Sequence, residues 1–154
     1  MALPYQYPLV GFHFLVTFEM FPQSPVDVRF QEVSGISMSM GYDSVTEGGE
    51  NRFIHKLPTR ASFSDIILKR GLFEKTALYT WCKNAIENHD FKPMNLVIVL
   101  LNELHTPVYS WRVFNAVPVK WEISPFSAEK GEVVIESITI TYNYFSPVGL
   151  ASLL

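Results

Sequence analysis

The residues best suited to chemistry gather in one stretch, EGGENRFIHKLPTR, from Glu47 to Arg60. Glu47 and Glu50 could serve as an acid and base pair, because hydrolysis with two carboxylates needs them in different environments. In so polar a segment both are expected to be solvated and ionised. Gly48 and Gly49 could bring backbone amides to a phosphate, but no helix start follows to complete such a nest. The four histidines, His13, His55, His89 and His105, are scattered and read as strand-surface, loop or helix-end residues. Cys82 falls on an apolar helical stripe, where a free cysteine behaves as a small hydrophobe. Trp81, Trp111 and Trp121 read as core or interface aromatics. The P-loop, HExxH, paired CxxC, GxSxG and calcium-loop patterns are missing from the sequence. No catalytic residue, cofactor site or metal site is therefore expected. The segment instead reads as a flexible or tightly turning polar arm.

Such an arm needs a body to carry it. The chain of 154 residues is of single-domain size, and 48% hydrophobic against 18% charged residues excludes a disordered body. The aromatic share of 14% implies apolar surface left over after folding, which in a folded domain usually meets a partner. A net charge of -3 offers no electrostatic reason to bind nucleic acid or an anionic membrane. Pro4 and Pro8 interrupt the N-terminal segment, which has no basic start, so no signal peptide is expected. No stretch approaches the roughly 20 apolar residues of a membrane-spanning helix. The single cysteine fits assembly in a reducing cytoplasm, with no membrane anchor.

Two-residue alternation predicts a strand from Gly11 to Met20, with Phe12, Phe14, Val16, Phe18 and Met20 on one face. A turn at Phe21–Pro25 leads to a second strand from Val26 toward Val33, broken at Gly35. Ile36–Tyr42 alternates again, and Arg52–Leu57 reads as a short strand stopped by Pro58. Ala61–Lys69 has mixed spacing. Only Glu74–Asn88 reads as helix, with Leu78, Trp81, Cys82, Ala85 and Ile86 at three- and four-residue spacing and Lys83 on the polar side. Met94–Leu101 predicts a strand buried on both faces, paired through a turn with Val108–Phe114. Val117–Ser124 and Glu132–Tyr144 supply two more strands. About eight strands and one helix make one mainly β domain over residues 1–154, with an ordered body at about 7–145 and a closing tail at 146–154.

Several stretches, in order, carry a resemblance: YPLVGFHFLV, FQEVSGIS, the EGGENRFIHKLPTR arm, DIILKRGLF, LYTWC, LLNELHTPVYSWRVFNAVPVKW and VVIESITITYNYF. Together they resemble the tail-tube proteins of T4-type phages and contractile injection systems, from about Tyr7 to Phe145. The resemblance implies a tail-tube β-barrel of two packed antiparallel sheets, with one flanking α-helix and an extended loop. It also implies homohexameric rings stacked head to tail into a hollow tube, without catalysis. The implied partners are further copies of the chain, sheath subunits, spike or hub and baseplate proteins, and cargo in the lumen. The implied location is a phage tail or injection particle, released or held at the envelope.

The segment matching Asp43–Lys56 is the arm that reaches a neighbouring subunit or ring in such proteins, so the resemblance implies Asp43, Glu47, Gly48, Gly49, Glu50, Asn51, Arg52, His55 and Lys56 as candidates for contact with another subunit. This sequence departs from abundant shaft subunits in the length of VTFEMFPQSPVDVRF and in its apolar end, YFSPVGLASLL. Shaft subunit and baseplate-proximal initiating ring both remain open. The alternative from another class is a monomeric β-barrel binding module or effector that uses the tube fold.

Overall fold

The computed structural model describes residues 13–19, 29–73 and 76–148. Among them, ten strands and one helix are found where about eight strands were expected. They are β1 His13–Phe18, β2 Arg29–Phe30, β3 Glu32–Ser34, β4 Met38–Val45, β5 His55–Phe63, β6 Ile66–Gly71, α1 Ala77–Glu87, β7 Met94–Leu101, β8 Pro107–Ile123, β9 Ile135–Thr141 and β10 Tyr144–Val148. Phe12, Met20, the turn at Phe21–Pro25 and Glu74 lie outside the described residues.

Every strand pair is antiparallel, and the main sheet runs β2-β1-β7-β8-β9-β6-β3, with β10 also on β8. Its two ends meet in one short segment. Phe30 pairs with Phe14 of β1, while Glu32 pairs with Lys69 of β6 and the Gln31 amide donates to the Lys69 carbonyl at 2.8 Å. One extended stretch thus closes the sheet into a barrel, which removes the exposed edges an open sheet would leave.

The second corner is made by β8, which the alternation divides into two strands. Its inward residues change phase at Asn115, whose φ of 54° marks a bulge, so Val113 and then Ala116 and Pro118 point inward. The Asn115 amide donates to Asn95 Oδ1 at 3.1 Å, which holds the bulge against β7. Before the bulge β8 pairs with β7 and β10, and beyond it with β9. A bulge bends a strand and sharpens its twist, which lets one strand serve two sheets. The expected Glu132–Tyr144 strand breaks for the same reason. β9 and β10 run in sequence along one edge of β8 and separate at Tyr142–Asn143, opposite the bend. β10 carries paired backbone to Val148, so Ser146, Pro147 and Val148 belong to the sheet.

The core is a single apolar cluster inside the barrel, reaching from Val16, Phe18 and Phe30 through Leu96, Ile98 and Val113 to Ile138 and Ile140. α1 joins it through Leu78, Trp81 and Cys82, with Trp81 set edge-on to Phe18 at 5.9 Å and donating to the Lys92 carbonyl at 3.0 Å. Thr76 caps the helix by accepting from the Tyr79 amide at 3.2 Å, and His89 turns left-handed just past its end at φ 52°. Ile86, expected on the buried stripe, is 42% exposed and lines a surface groove with Tyr79, Lys83 and Trp121.

Candidate assembly surface

The polar segment becomes a two-stranded arm. Among the described residues β4 and β5 pair only with each other, outside the barrel, and almost every residue from Met38 to Ser62 is exposed. The two strands expected here, Ile36–Tyr42 and Arg52–Leu57, are found shifted, as Met38–Val45 and His55–Phe63, and pair as a hairpin. Pro58 does not stop β5, because a ribbon of two strands has an outer edge that needs no amide, and Pro58 pairs opposite Tyr42.

The base of the arm is fixed by backbone geometry. Gly35 has φ +89°, and a Cβ there would lie 2.1 Å from the Asp65 carbonyl oxygen. Ser64 Oγ donates to the Gly35 carbonyl at 2.6 Å and also bonds the Ser37 hydroxyl. The chain can leave β3 and return to β6 this closely only with glycine at the crossing.

The two faces of the arm differ, since residues directly opposite in an antiparallel pair share a face. Met38, Met40 and Tyr42 pair with Phe63, Ala61 and Pro58 to make an apolar face. Met38 is 70% exposed, Met40 59% and Tyr42 56%. Lys56 extends the same face by placing its ammonium 4.9 Å from the Tyr42 ring centroid. Ser39 and Ser62, bonded at 2.9 Å, occupy the other face. That apolar face continues into the body, where Phe63 packs edge-on against Phe145 at 5.3 Å.

All nine candidate contact residues lie in the arm, most of them around its tip. Gly48 and Gly49 form the turn, Gly49 with φ +91°. Glu50 takes Arg52 in a bidentate pair at 2.9 and 3.1 Å and also accepts the Arg52 amide at 3.0 Å. The guanidinium bond, with the amide bond behind it, holds the Glu50 carboxyl below its ordinary range. Glu47 Oε2 meets His55 Nε2 at 3.1 Å. The two carboxylates thus each meet a different basic side chain. Asp43 stands opposite Leu57, Lys56 opposite Ser44, and Asn51 is exposed.

Histidines that are distant in sequence meet once: His13 and His105 stack at 4.7 Å beside Leu15 and Leu101. Among the described residues no group of three or more His, Cys, Asp or Glu side chains could hold a metal ion, and no helix is long and apolar enough to cross a membrane.

A buried polar network went unread in the sequence. Arg70 Nε donates to Glu136 Oε2 at 2.9 Å and Arg70 Nη2 to Thr76 Oγ1 at 3.0 Å, while Trp121 Nε1 donates to Glu136 Oε1 at 2.6 Å. The Arg70 guanidinium also lies 5.4 Å from the Phe30 ring centroid. Thr76 is the cap of α1, so the network ties the helix start to β6, β8 and β9. A signal for it exists: Arg70 is in phase with Ile66 and Leu68, and Glu136 with Ile138 and Ile140. Two opposite charges at inward positions of neighbouring strands are the mark of a buried pair. Beside it, burial and then the Glu136 charge push the Cys82 thiol up to about 12.

The closed barrel, the capped flanking helix and the two-faced hairpin agree with a family model described as T4-like virus tail tube protein gp19, which matches residues 10–146. The chain belongs to that family. No curated protein matches it. Among solved structures it is similar to a chain of the anti-feeding prophage (AFP) baseplate, 6-fold symmetrised, with TM-score 0.80 and 28% identity over 94% of this chain and 98% of that one. It is also similar to a chain of the PVC extracellular contractile injection system sheath-tube complex in its extended state, with TM-score 0.76 and 25% identity over 95% of each. Hcp1 from Flavobacterium johnsoniae, at TM-score 0.55 and 14% identity over 90% of this chain and 96% of that one, shares the fold.

Proposed function

We infer that the chain is a structural subunit of the inner tube of a contractile injection system or contractile phage tail, forming hexameric rings that stack into a hollow tube. The observation that carries this reading is the arm: a long hairpin with one apolar face, exposed on an otherwise closed barrel. A closed barrel has little need of a projecting ribbon, and methionines and a tyrosine exposed in one row are more than scattered surface apolar residues. The edges of β4, β5 and β10 that have no strand partner among the described residues offer backbone donors and acceptors that pairing between copies would satisfy. The proposed contacts run through Asp43, Glu47 to Arg52, His55 and Lys56, whose charges set register between neighbours.

Family membership and the similar chains in AFP and PVC particles support sheath, baseplate and spike components as partners, and a role without turnover of a substrate. The higher similarity to the baseplate chain than to the sheath-tube chain favours the ring nearest the baseplate. On this reading the protein assembles in the cytoplasm and then travels as part of a particle.

Light scattering coupled to size exclusion, followed by cryo-electron microscopy, tests the proposal on the full chain. Six-membered rings or stacked tubes are expected. A strict monomer at high concentration would leave the binding-module reading in its place.

A further inference from the structure

Among the described residues, the barrel is closed around its sides and open at one end. Phe14, Val33, Ile36, Leu100, Trp111 and Phe145, with the arm base at Ser37 and Met38, line a cavity of about 530 Å³. Phe14, Leu100 and Trp111 sit one inward position beyond the core residues Val16, Ile98 and Val113, so the cavity continues the core outward with no charged group in its lining. Uncovered aromatic lining of this size is costly to leave in water.

The other end carries exposed apolar side chains. Strand register places it: β6 begins beside the arm base and ends at Gly71 opposite Ile135, and β8 ends at Ile123 opposite Glu136. Past those ends Leu72 is 42% exposed, Phe126 77% and Val133 71%. Phe126 follows Pro125 in a loop braced on both sides. Ser124 and Ile135 exchange bonds at its base, with the Ser124 amide reaching the Ile135 carbonyl at 2.8 Å and the Ile135 amide reaching Ser124 Oγ at 2.9 Å. Beyond Phe126, the Lys130 amide donates to the Ser127 carbonyl at 3.3 Å. An aromatic held out on a braced loop loses little freedom on docking, which is what an interface anchor requires.

We propose that the open barrel mouth receives Phe126 from a second copy of this chain, making the ring-to-ring contact of the stack. This rests on the assembly reading above and names the surfaces it would use. Mouth and knob lie at opposite ends of one chain, so the contact is heterologous and repeats without closing, as a growing tube needs.

The full chain carrying Met38→Cys and Phe126→Cys, oxidised after assembly, tests the contact on a non-reducing gel. Cys82, at 1% exposure, stays out of reach. A covalent ladder of dimers, trimers and longer chains is expected, along with rings in light scattering. Rings without a ladder overturn this contact and leave the assembly reading standing, whereas a chain that never associates overturns both. In a second variant, Met38→Cys with Leu153→Cys, a bond within one chain would put the closing residues in the mouth and also overturn the contact. In parallel, Phe126→Glu should cut stacking by roughly tenfold to a hundredfold while single rings persist, and Phe126→Leu should restore much of it. Tubes of unchanged length from Phe126→Glu would contradict the proposal.

Discussion

Arg70 and Glu136 face one another across β6 and β9, 2.9 Å from Nε to Oε2, with both side chains 1% exposed. Neither charge reaches water, and each has a further partner, Thr76 for Arg70 and Trp121 for Glu136. Removing one charge leaves the other buried without its counterion, which costs about 3–5 kcal/mol. Glu136→Leu should therefore lower unfolding stability by that amount in urea titrations. The double variant Arg70→Met with Glu136→Leu should recover most of the loss, since an apolar pair of similar volume carries no desolvation penalty. A double variant as unstable as Glu136→Leu alone would show that the pair is worth more than its desolvation.

The crossing at Gly35 makes a separate prediction. Alanine there must adopt φ near +89° and place its Cβ 2.1 Å from a backbone oxygen that cannot swing aside. The conformation alone costs about 1–3 kcal/mol, and relief of the overlap must move the arm base. Gly35→Ala should lower stability by at least that much and shift amide resonances around Asp65 and Ser64. Gly48→Ala, at the tip with open space around it, should change stability little.

These two sites show what could be read in the sequence and what could not. Alternation at Phe14, Val16 and Phe18, the run from Met94 to Leu101 and the stripe Leu78, Trp81, Cys82 and Ala85 are local patterns, and each appears as the expected element. Pro58 misled because a proline stops a strand only where its missing amide faces a partner. The unity of β8 was hidden because a bulge at Asn115 flips the inward phase, which looks in sequence like the end of one strand and the start of another. Arg70 and Glu136 were legible only as a pair, through strand register that joins residues far apart in the chain. The position of the arm residues was legible from polarity and glycine, whereas the apolar face of the arm was not. Met38, Met40 and Tyr42 alternate like any half-buried strand, and nothing local says that the body leaves them uncovered.

Cys82 gives a chemical readout of the core. Its thiol is 1% exposed, and burial with the Glu136 charge holds it at about 12, so at pH 8 it is protonated and shielded. A thiol reagent such as DTNB should react with the folded protein only at the rate of global opening, and at once in denaturant. Glu136→Leu should speed labelling in proportion to its loss of stability. Rapid labelling of the native chain would show that α1 opens on its own.

The tip of the arm supplies a pH dependence. Glu50 is held below its ordinary range chiefly by the Arg52 guanidinium, and Arg52 is raised by the same bond. A depressed carboxyl contributes its stabilisation fully above the ordinary carboxylate value and loses it as pH falls through the folded value. The turn should therefore keep its bidentate pair through neutral pH and release it only in acid. In a carbon-detected NMR titration, Arg52→Ala should move the Glu50 midpoint up toward the ordinary range. An unchanged midpoint would show that other groups hold Glu50 down.

The faces of the arm allow assembly to be separated from folding. Met40 is 59% exposed on the apolar face, and Ser62 lies on the other, bonded to Ser39. Neither side chain contributes to the barrel core, so substitutions at both should leave the melting temperature of the isolated chain within a degree or two, as surface changes usually do. Burying a methionine and a tyrosine against another copy is worth about 1.5–3 kcal/mol for each side chain fully covered. Met40→Ser with Tyr42→Ser should then raise the concentration needed for ring formation by roughly tenfold or more, whereas Ser62→Ala should leave it nearly unchanged. Deleting Gly48 to Asn51 removes the tip turn but no core residue, and should likewise spare the fold while weakening assembly. Concentration-dependent light scattering reads all of these. If the serine variants form rings at the concentration of the unaltered chain, the apolar face of the arm is not where neighbouring copies meet.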